Sequence, residues 1–108
     1  MSAPLPYGLP ERTTHAICDV LSRFSEVDKA VLYGSRAKGN YKPGSDIDLT
    51  LYGPLLTARL CSAIADEIDE LLLPYGVDLS VFADLNHPEL QAHIERVGLI
   101  FYQRAGMA

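Results

Sequence analysis

The chain has 108 residues, 48% of them apolar, and carries 14 acidic against 9 basic side chains for a net charge of −5. That length suits one compact domain. No run approaches the ~20 apolar residues of a membrane span, and an acidic chain is a poor match for a long nucleic acid, whose binding rests on a basic surface.

Residues 1–10 contain Pro4, Pro6, Gly8 and Pro10, which predicts an extended arm rather than a packed element. No basic start precedes an apolar run, so no secretion signal is expected and a cytoplasmic location is. The folded domain is expected over residues 11–104. Pro10 suits a helix edge and Glu11 its first turn. Ile17, Val20, Leu21 and Phe24 then recur at helical spacing to about Ser25. A short strand is predicted from Lys29, stopped by Gly34. One helical turn should follow at Ser35, before a loop holding Pro43 and Gly44.

Alternation of polar and apolar residues predicts a strand from Asp46 to Tyr52. Leu60, Ile64, Ile68, Leu71 and Leu72 form a helical stripe over 58–72, ended by Pro74 and Gly76. A third strand is predicted over 77–82, a helix over 89–97 after Pro88, and a last short strand over 99–102. Cys18 and Cys61 lie in helix-like segments without metal-ligand spacing and read as reduced, buried small residues. The order α-β-β-α-β-α-β gives a single α/β domain, a mixed sheet covered by helices. The first two strands are joined too closely for a crossover helix and should pair antiparallel. The helix between the second and third permits a parallel pair.

The most informative pattern is Gly34-Ser35, ten residues, then Asp46-Ile47-Asp48, with a later strand-borne Asp78. A glycine lets backbone approach a phosphate, and Ser35 adds a hydroxyl and an N–H at the start of a helical turn. In the second strand Ile47, Leu49 and Leu51 share one face and Asp46, Asp48, Thr50 and Tyr52 the other. In the third, Asp78, Ser80 and Phe82 oppose Val77, Leu79 and Val81. If both apolar faces meet helices, the three aspartates emerge on one side. Clustered carboxylates repel one another unless a cation joins them, and hard oxygen donors favour Mg²⁺ or Mn²⁺. Two such ions ~3.5–4 Å apart would share Asp46 and Asp48, with Asp78 as a ligand on the nucleophile side and acceptor of its proton. Arg36, Lys38 and Lys42 add local basic charge suited to a nucleoside triphosphate.

The segment YGSRAKGNYKPGSDIDL, with Val77-Asp78-Leu79, closely resembles the signature of the polymerase-beta-like nucleotidyltransferase superfamily, in its minimal form. The resemblance implies that Gly34 and Ser35 seat the nucleotide phosphates, that Asp46, Asp48 and Asp78 are catalytic metal ligands, and that Arg36 and Lys38 touch phosphates. It implies a palm-like nucleotidyltransferase domain using ATP and two Mg²⁺ ions, with Mn²⁺ as a substitute. It also implies a partner. Minimal members are similar to antitoxins that transfer AMP to a tyrosine hydroxyl of a helical HEPN-domain toxin, so a hetero-oligomer or homo-oligomer is expected.

Two other functions compete: a binding module that neutralises its partner sterically, and a catalytic subunit modifying a small molecule or an RNA end. Outside the motif, His15, His87 and His93 lack ligand spacing and are expected at the surface or half-buried. Tyr33 and Tyr52 are expected to pack at the core or its rim, and Arg59 to be solvated. Asp66, Glu67, Asp69 and Glu70 read as a solvated acidic helix face.

Overall fold

The computed structural model describes residues 6–106. Helix α1 (Glu11–Ser22) follows Pro10 and buries Ile17, Val20 and Leu21. It ends three residues before the expected Ser25; Phe24 continues the chain through turns in which its N–H donates to the Leu21 carbonyl at 3.1 Å and its own carbonyl accepts from Val27. Strand β1 (Lys29–Tyr33) leads into the four-residue α2 (Ser35–Lys38), closed by Gly39 in the left-handed region. Strand β2 (Ile47–Tyr52), helix α3 (Ala58–Asp69) and strand β3 (Val77–Val81) come next. Thr57 starts α3 by accepting the Leu60 N–H at 3.1 Å, which satisfies one of the free donors of the first turn.

Expected boundaries also move at α3 and β3. The helical stripe of α3 runs in the sequence to Leu72, but the helix stops at Asp69, and Leu72 itself adopts φ +53° and lies 87% exposed. Phe82 does not close β3; it opens a 3₁₀ turn, Phe82–Asp84. Helix α4 (Pro88–Val97) and strand β4 (Leu99–Gln103) complete the chain. His87 caps α4, its Nδ1 accepting the Leu90 N–H at 3.0 Å.

The four strands form one mixed sheet in the order β3-β2-β1-β4. β1 is antiparallel to both β2 and β4, and β2 is parallel to β3, which agrees with the pairings expected from connection lengths. One face packs Leu32, Ile47, Leu49 and Leu51 beneath Ile17 and Leu21 of α1 and Ile64 and Ile68 of α3. The other face carries a smaller cluster in which Ile94 of α4 covers Val31 and Tyr33, with Tyr52, Phe82, Leu85 and Leu90 around it.

The N-terminal segment corrects the expectation of an unpacked arm. Within the described residues, Pro6–Gly8 forms a 3₁₀ turn and Leu9 is completely buried in the larger core. The Tyr7 ring lies 5.7 Å from that of Phe101. The prolines shape this segment, but a single apolar side chain among them gains enough by burial to dock it. Residues 1–5 of the expected arm lie outside the described residues. No described helix is long and apolar enough to cross a membrane.

Candidate active site

The register decides which side chains meet. Tyr33 pairs with Asp48 across β1 and β2, and Asp48 pairs with Asp78 across β2 and β3. Residues opposite one another in adjacent strands project from the same face, so Tyr33, Asp48 and Asp78 form a row across three strands. The next row along is Val31, Thr50 and Ser80, where Ser80 donates to Thr50 Oγ1 at 3.0 Å. Ile94 packs against Val31 and Tyr33. Asp78, at the sheet edge, is exposed, and Asp48 is half-buried.

Asp46 lies one residue before β2 and is exposed. It is held from below: the Ile47 N–H donates to the Gly76 carbonyl at 2.8 Å. A Cβ at Gly76 would stand 2.7 Å from Asp46 Oδ1, so the Asp46 carboxylate rests directly over glycine backbone. Gly34 does the same for Asp48. It adopts φ 75°, ψ −155°, a conformation open essentially to glycine alone, and the position of a Cβ there is already taken by the Asp48 carboxylate. The glycine of the motif therefore does two things: it makes the turn into α2 and lets Asp48 lie against the chain.

Electrostatics tie the three acids together. The Asp48 carboxyl is pushed above its ordinary value, first by burial, then by the charges of Asp78 and Asp46. The Tyr33 phenol is also raised, chiefly by burial, with Asp78 and Asp48 adding and Ser80 opposing. Among the described residues none of the three aspartates is in a salt bridge. No group of three His, Cys, Asp or Glu side chains among those residues converges as a ready-made metal cage. The donor set nonetheless fits a hard divalent cation: all oxygens, all anionic, mutually repelling and without a basic side chain to balance them. Mg²⁺ is commonly held by one or two carboxylates plus substrate phosphates rather than by an all-protein cage.

Arg36 departs from the sequence expectation. It does not point to the phosphate side but is buried, 2% exposed. Its Nε and Nη2 donate to the Ser45 carbonyl at 3.1 and 2.9 Å, and Nη1 donates to the Tyr7 carbonyl at 2.8 Å. Its guanidinium also lies 5.2 Å and 5.1 Å from the ring centres of Tyr41 and Tyr75. A side chain buried and committed in this way is turned to the interior rather than to a nucleotide. Lys38 is exposed at the end of α2 and keeps its charge free to face solvent.

The residues set aside in the sequence behave as packing and surface groups. Tyr52 stacks on Phe82 at 4.6 Å, beneath the Lys29 ammonium. Arg59, Asp66, Asp69 and Glu70 are exposed, and Glu67 meets Arg23 at 3.3 Å. His15 is exposed and His93 half-buried. Burial raises both thiols, Cys18 and Cys61, which suits inert small residues.

Comparison with known proteins agrees with this fold. A chain of a toxin–antitoxin crystal structure determined with AMP-PNP superposes with a TM-score of 0.69 at 19% identity, over 85% of this chain and 74% of that one. A chain from the complex of a tri-AMPylated Shewanella oneidensis HEPN toxin with an MNT antitoxin gives 0.64 at 16% identity, over 86% and 71%. A nucleotidyltransferase-like structure from Sulfolobus solfataricus gives 0.53 at 16% identity, over 87% and 79%. At these identities the likeness is one of fold. None of the curated proteins compared with the chain matches it. The family model described as "Polymerase beta, Nucleotidyltransferase" matches residues 15–106, which takes in Gly34, Ser35 and all three aspartates, and the chain belongs to that family.

Proposed function

We propose that this protein is the antitoxin of a toxin–antitoxin pair and transfers AMP from ATP to a tyrosine hydroxyl of a helical HEPN-domain partner, in the cytoplasm. Family membership supports the reaction class. The similar folds in structures with AMP-PNP and with a tri-AMPylated HEPN toxin support the nucleotide and the partner. The observation that carries the reaction to particular residues is the Asp48–Asp78 register, with Gly34 backbone against Asp48.

In this reaction the acceptor oxygen forms a bond to the α-phosphorus, the bond to pyrophosphate breaks, and the hydroxyl proton leaves. Asp78 lies exposed on an edge strand, where an acceptor carried by another chain can reach it, and it takes that proton. Asp46 and Asp48 would be shared by two Mg²⁺ ions, and Asp78 would ligate one of them. When bound, these ions supply positive charge to the triphosphate and to the attacking oxygen. Gly34 and Ser35 give the phosphates a close backbone approach, and Lys38 offers a mobile cation beside them. The protein's contribution is alignment and fixed charge rather than a covalent intermediate.

ATP labelled at the α-phosphate tests this. Incubated with the chain, Mg²⁺ and the product of the neighbouring gene, it should label the partner on tyrosine. Asp78→Asn should lower the rate by about 10³-fold, the scale of losing a transition-state electrostatic group. Absence of label with the wild-type pair overturns the enzymatic assignment. Neutralisation of the partner that survives Asp46→Asn with Asp48→Asn would indicate a steric inhibitor instead.

A further inference from the structure

Arg36 is a buried cation with no carboxylate partner among the described residues. Desolvating a guanidinium is costly, so its surroundings must repay that cost through hydrogen bonds and rings. They come from three separate segments: the N-terminal turn through the Tyr7 carbonyl, the α2–β2 loop through the Pro43 and Ser45 carbonyls and the Tyr41 ring, and the turn before β3 through the Tyr75 ring. Two of these segments end at the same side chain. Ser45 immediately precedes Asp46. Tyr75 immediately precedes Gly76, whose backbone lies under the Asp46 carboxylate. Ser45's other hydrogen bonds are local: the Lys42 N–H donates to Ser45 Oγ at 2.8 Å, and the Ser45 N–H donates to the Lys42 carbonyl at 2.9 Å; farther back in the loop the Tyr41 ring lies against the Gly8 backbone.

We propose that Arg36 is a positioning residue for Asp46: its fork fixes Ser45 against the Tyr75–Gly76 turn, so that the exposed Asp46 carboxylate is held beside Asp48 rather than swinging with its loop. The N-terminal turn belongs to the same clamp through Tyr7. This rests on the reading of Asp46 as a metal-binding carboxylate. A planar fork that reaches three carbonyls and lies near two rings is something lysine cannot reproduce.

The test measures binding of Mn²⁺, with a non-hydrolysable ATP analogue, by electron paramagnetic resonance on the full chain. Amide hydrogen exchange of residues 39–46 is followed in parallel. Arg36→Lys should weaken Mn²⁺ binding by about 10-fold, the lower end of what outer-shell partners contribute to metal affinity, and should speed exchange in the loop. Val20→Ala, a buried change in α1 away from the site, should lower the melting temperature yet leave Mn²⁺ affinity within about twofold. Tyr41→Leu keeps Arg36 in place, removes one ring, and should weaken binding by about two- to fivefold. That variant decides the matter if Arg36→Lys does not fold. Unchanged Mn²⁺ affinity in Arg36→Lys, or in Tyr41→Leu when it stands alone, overturns the proposal while leaving the metal site intact. A wild-type chain that binds no Mn²⁺ overturns the metal reading and this proposal together.

Discussion

Leu49 and Asp48 are neighbours in one strand, yet their side chains enter opposite environments. Leu49 is completely buried beneath α1 and α3 in the larger cluster. Asp48 projects from the other face, half-buried, between Tyr33 and Asp78. On that face α4 packs over β1, where Ile94 meets Val31 and Tyr33, and Asp78 on the edge strand β3 stays exposed. The sheet therefore separates stability from chemistry by strand parity: one face is dry and closed, and the other accumulates negative charge that the fold itself does not neutralise. Functional strain of this kind has to be carried by packing elsewhere.

The sharpest way to confirm that division is to damage the closed face alone. Leu49→Ala removes a completely buried side chain and should cost about 2–5 kcal/mol, lowering the melting temperature by more than about 10 °C. Below its own unfolding temperature the variant should still transfer nucleotide at close to the wild-type rate. Urea unfolding gives the first number and the α-labelled ATP assay the second. A loss of turnover in the folded variant would show that the two faces are not independent.

Gly34 is where the division should break. It belongs to the backbone frame but touches the Asp48 carboxylate. Gly34→Ala must leave its glycine-only conformation or strain it, at about 1–3 kcal/mol, and its new Cβ must displace Asp48. Both readouts should move: unfolding free energy by that amount, and kcat/KM by about 10²-fold, the scale of a misplacement near 1 Å. A variant that loses stability but keeps its kcat/KM would mean that Asp48 tolerates displacement and that its contact with the glycine has no functional weight.

The same parity explains what could be read from the sequence. Strand alternation over 46–52 and 77–82 has period two, so it states both the strand and the face of each aspartate, although β2 begins only at Ile47 and Phe82 leaves β3. The helix between β2 and β3 permits their parallel pairing, but the register that sets Asp48 beside Asp78 is visible only in the structure. Arg36 had no such signal. Its partners are backbone carbonyls, which every residue carries, and a basic residue beside a Gly-Ser turn looks the same whether it faces phosphate or the interior. Leu9 was hidden for a related reason: one apolar residue among prolines has no period. The end of α3 was missed because the apolar stripe continues through Leu71 and Leu72 after the helix has stopped, and only the positive φ of Leu72 marks the change.

The smallest expected effect sets the two faces against each other in a single residue. In the folded chain the Asp48 carboxyl is raised by burial, then by Asp78 and Asp46, so folding binds its proton more tightly than the unfolded chain does. Stability is then lost as pH rises from the ordinary carboxylate value through the raised one, and at neutral pH the ionised group is a net cost. Asp48→Asn removes that cost. In EDTA at pH 7 it should melt about 1–3 °C above wild type; solvent screening keeps the gain small for a half-exposed group. The difference should shrink as pH falls below the ordinary carboxylate range, where both chains are neutral at this position. Mn²⁺ with the ATP analogue should reverse the order, because a ligand bound only by the folded wild type stabilises it by mass action. Melting curves across pH, with and without the metal, measure both halves. If Asp48→Asn melts below wild type in EDTA at pH 7, the carboxylate is held by favourable protein contacts, and the open face would then contribute to the fold as the closed face does.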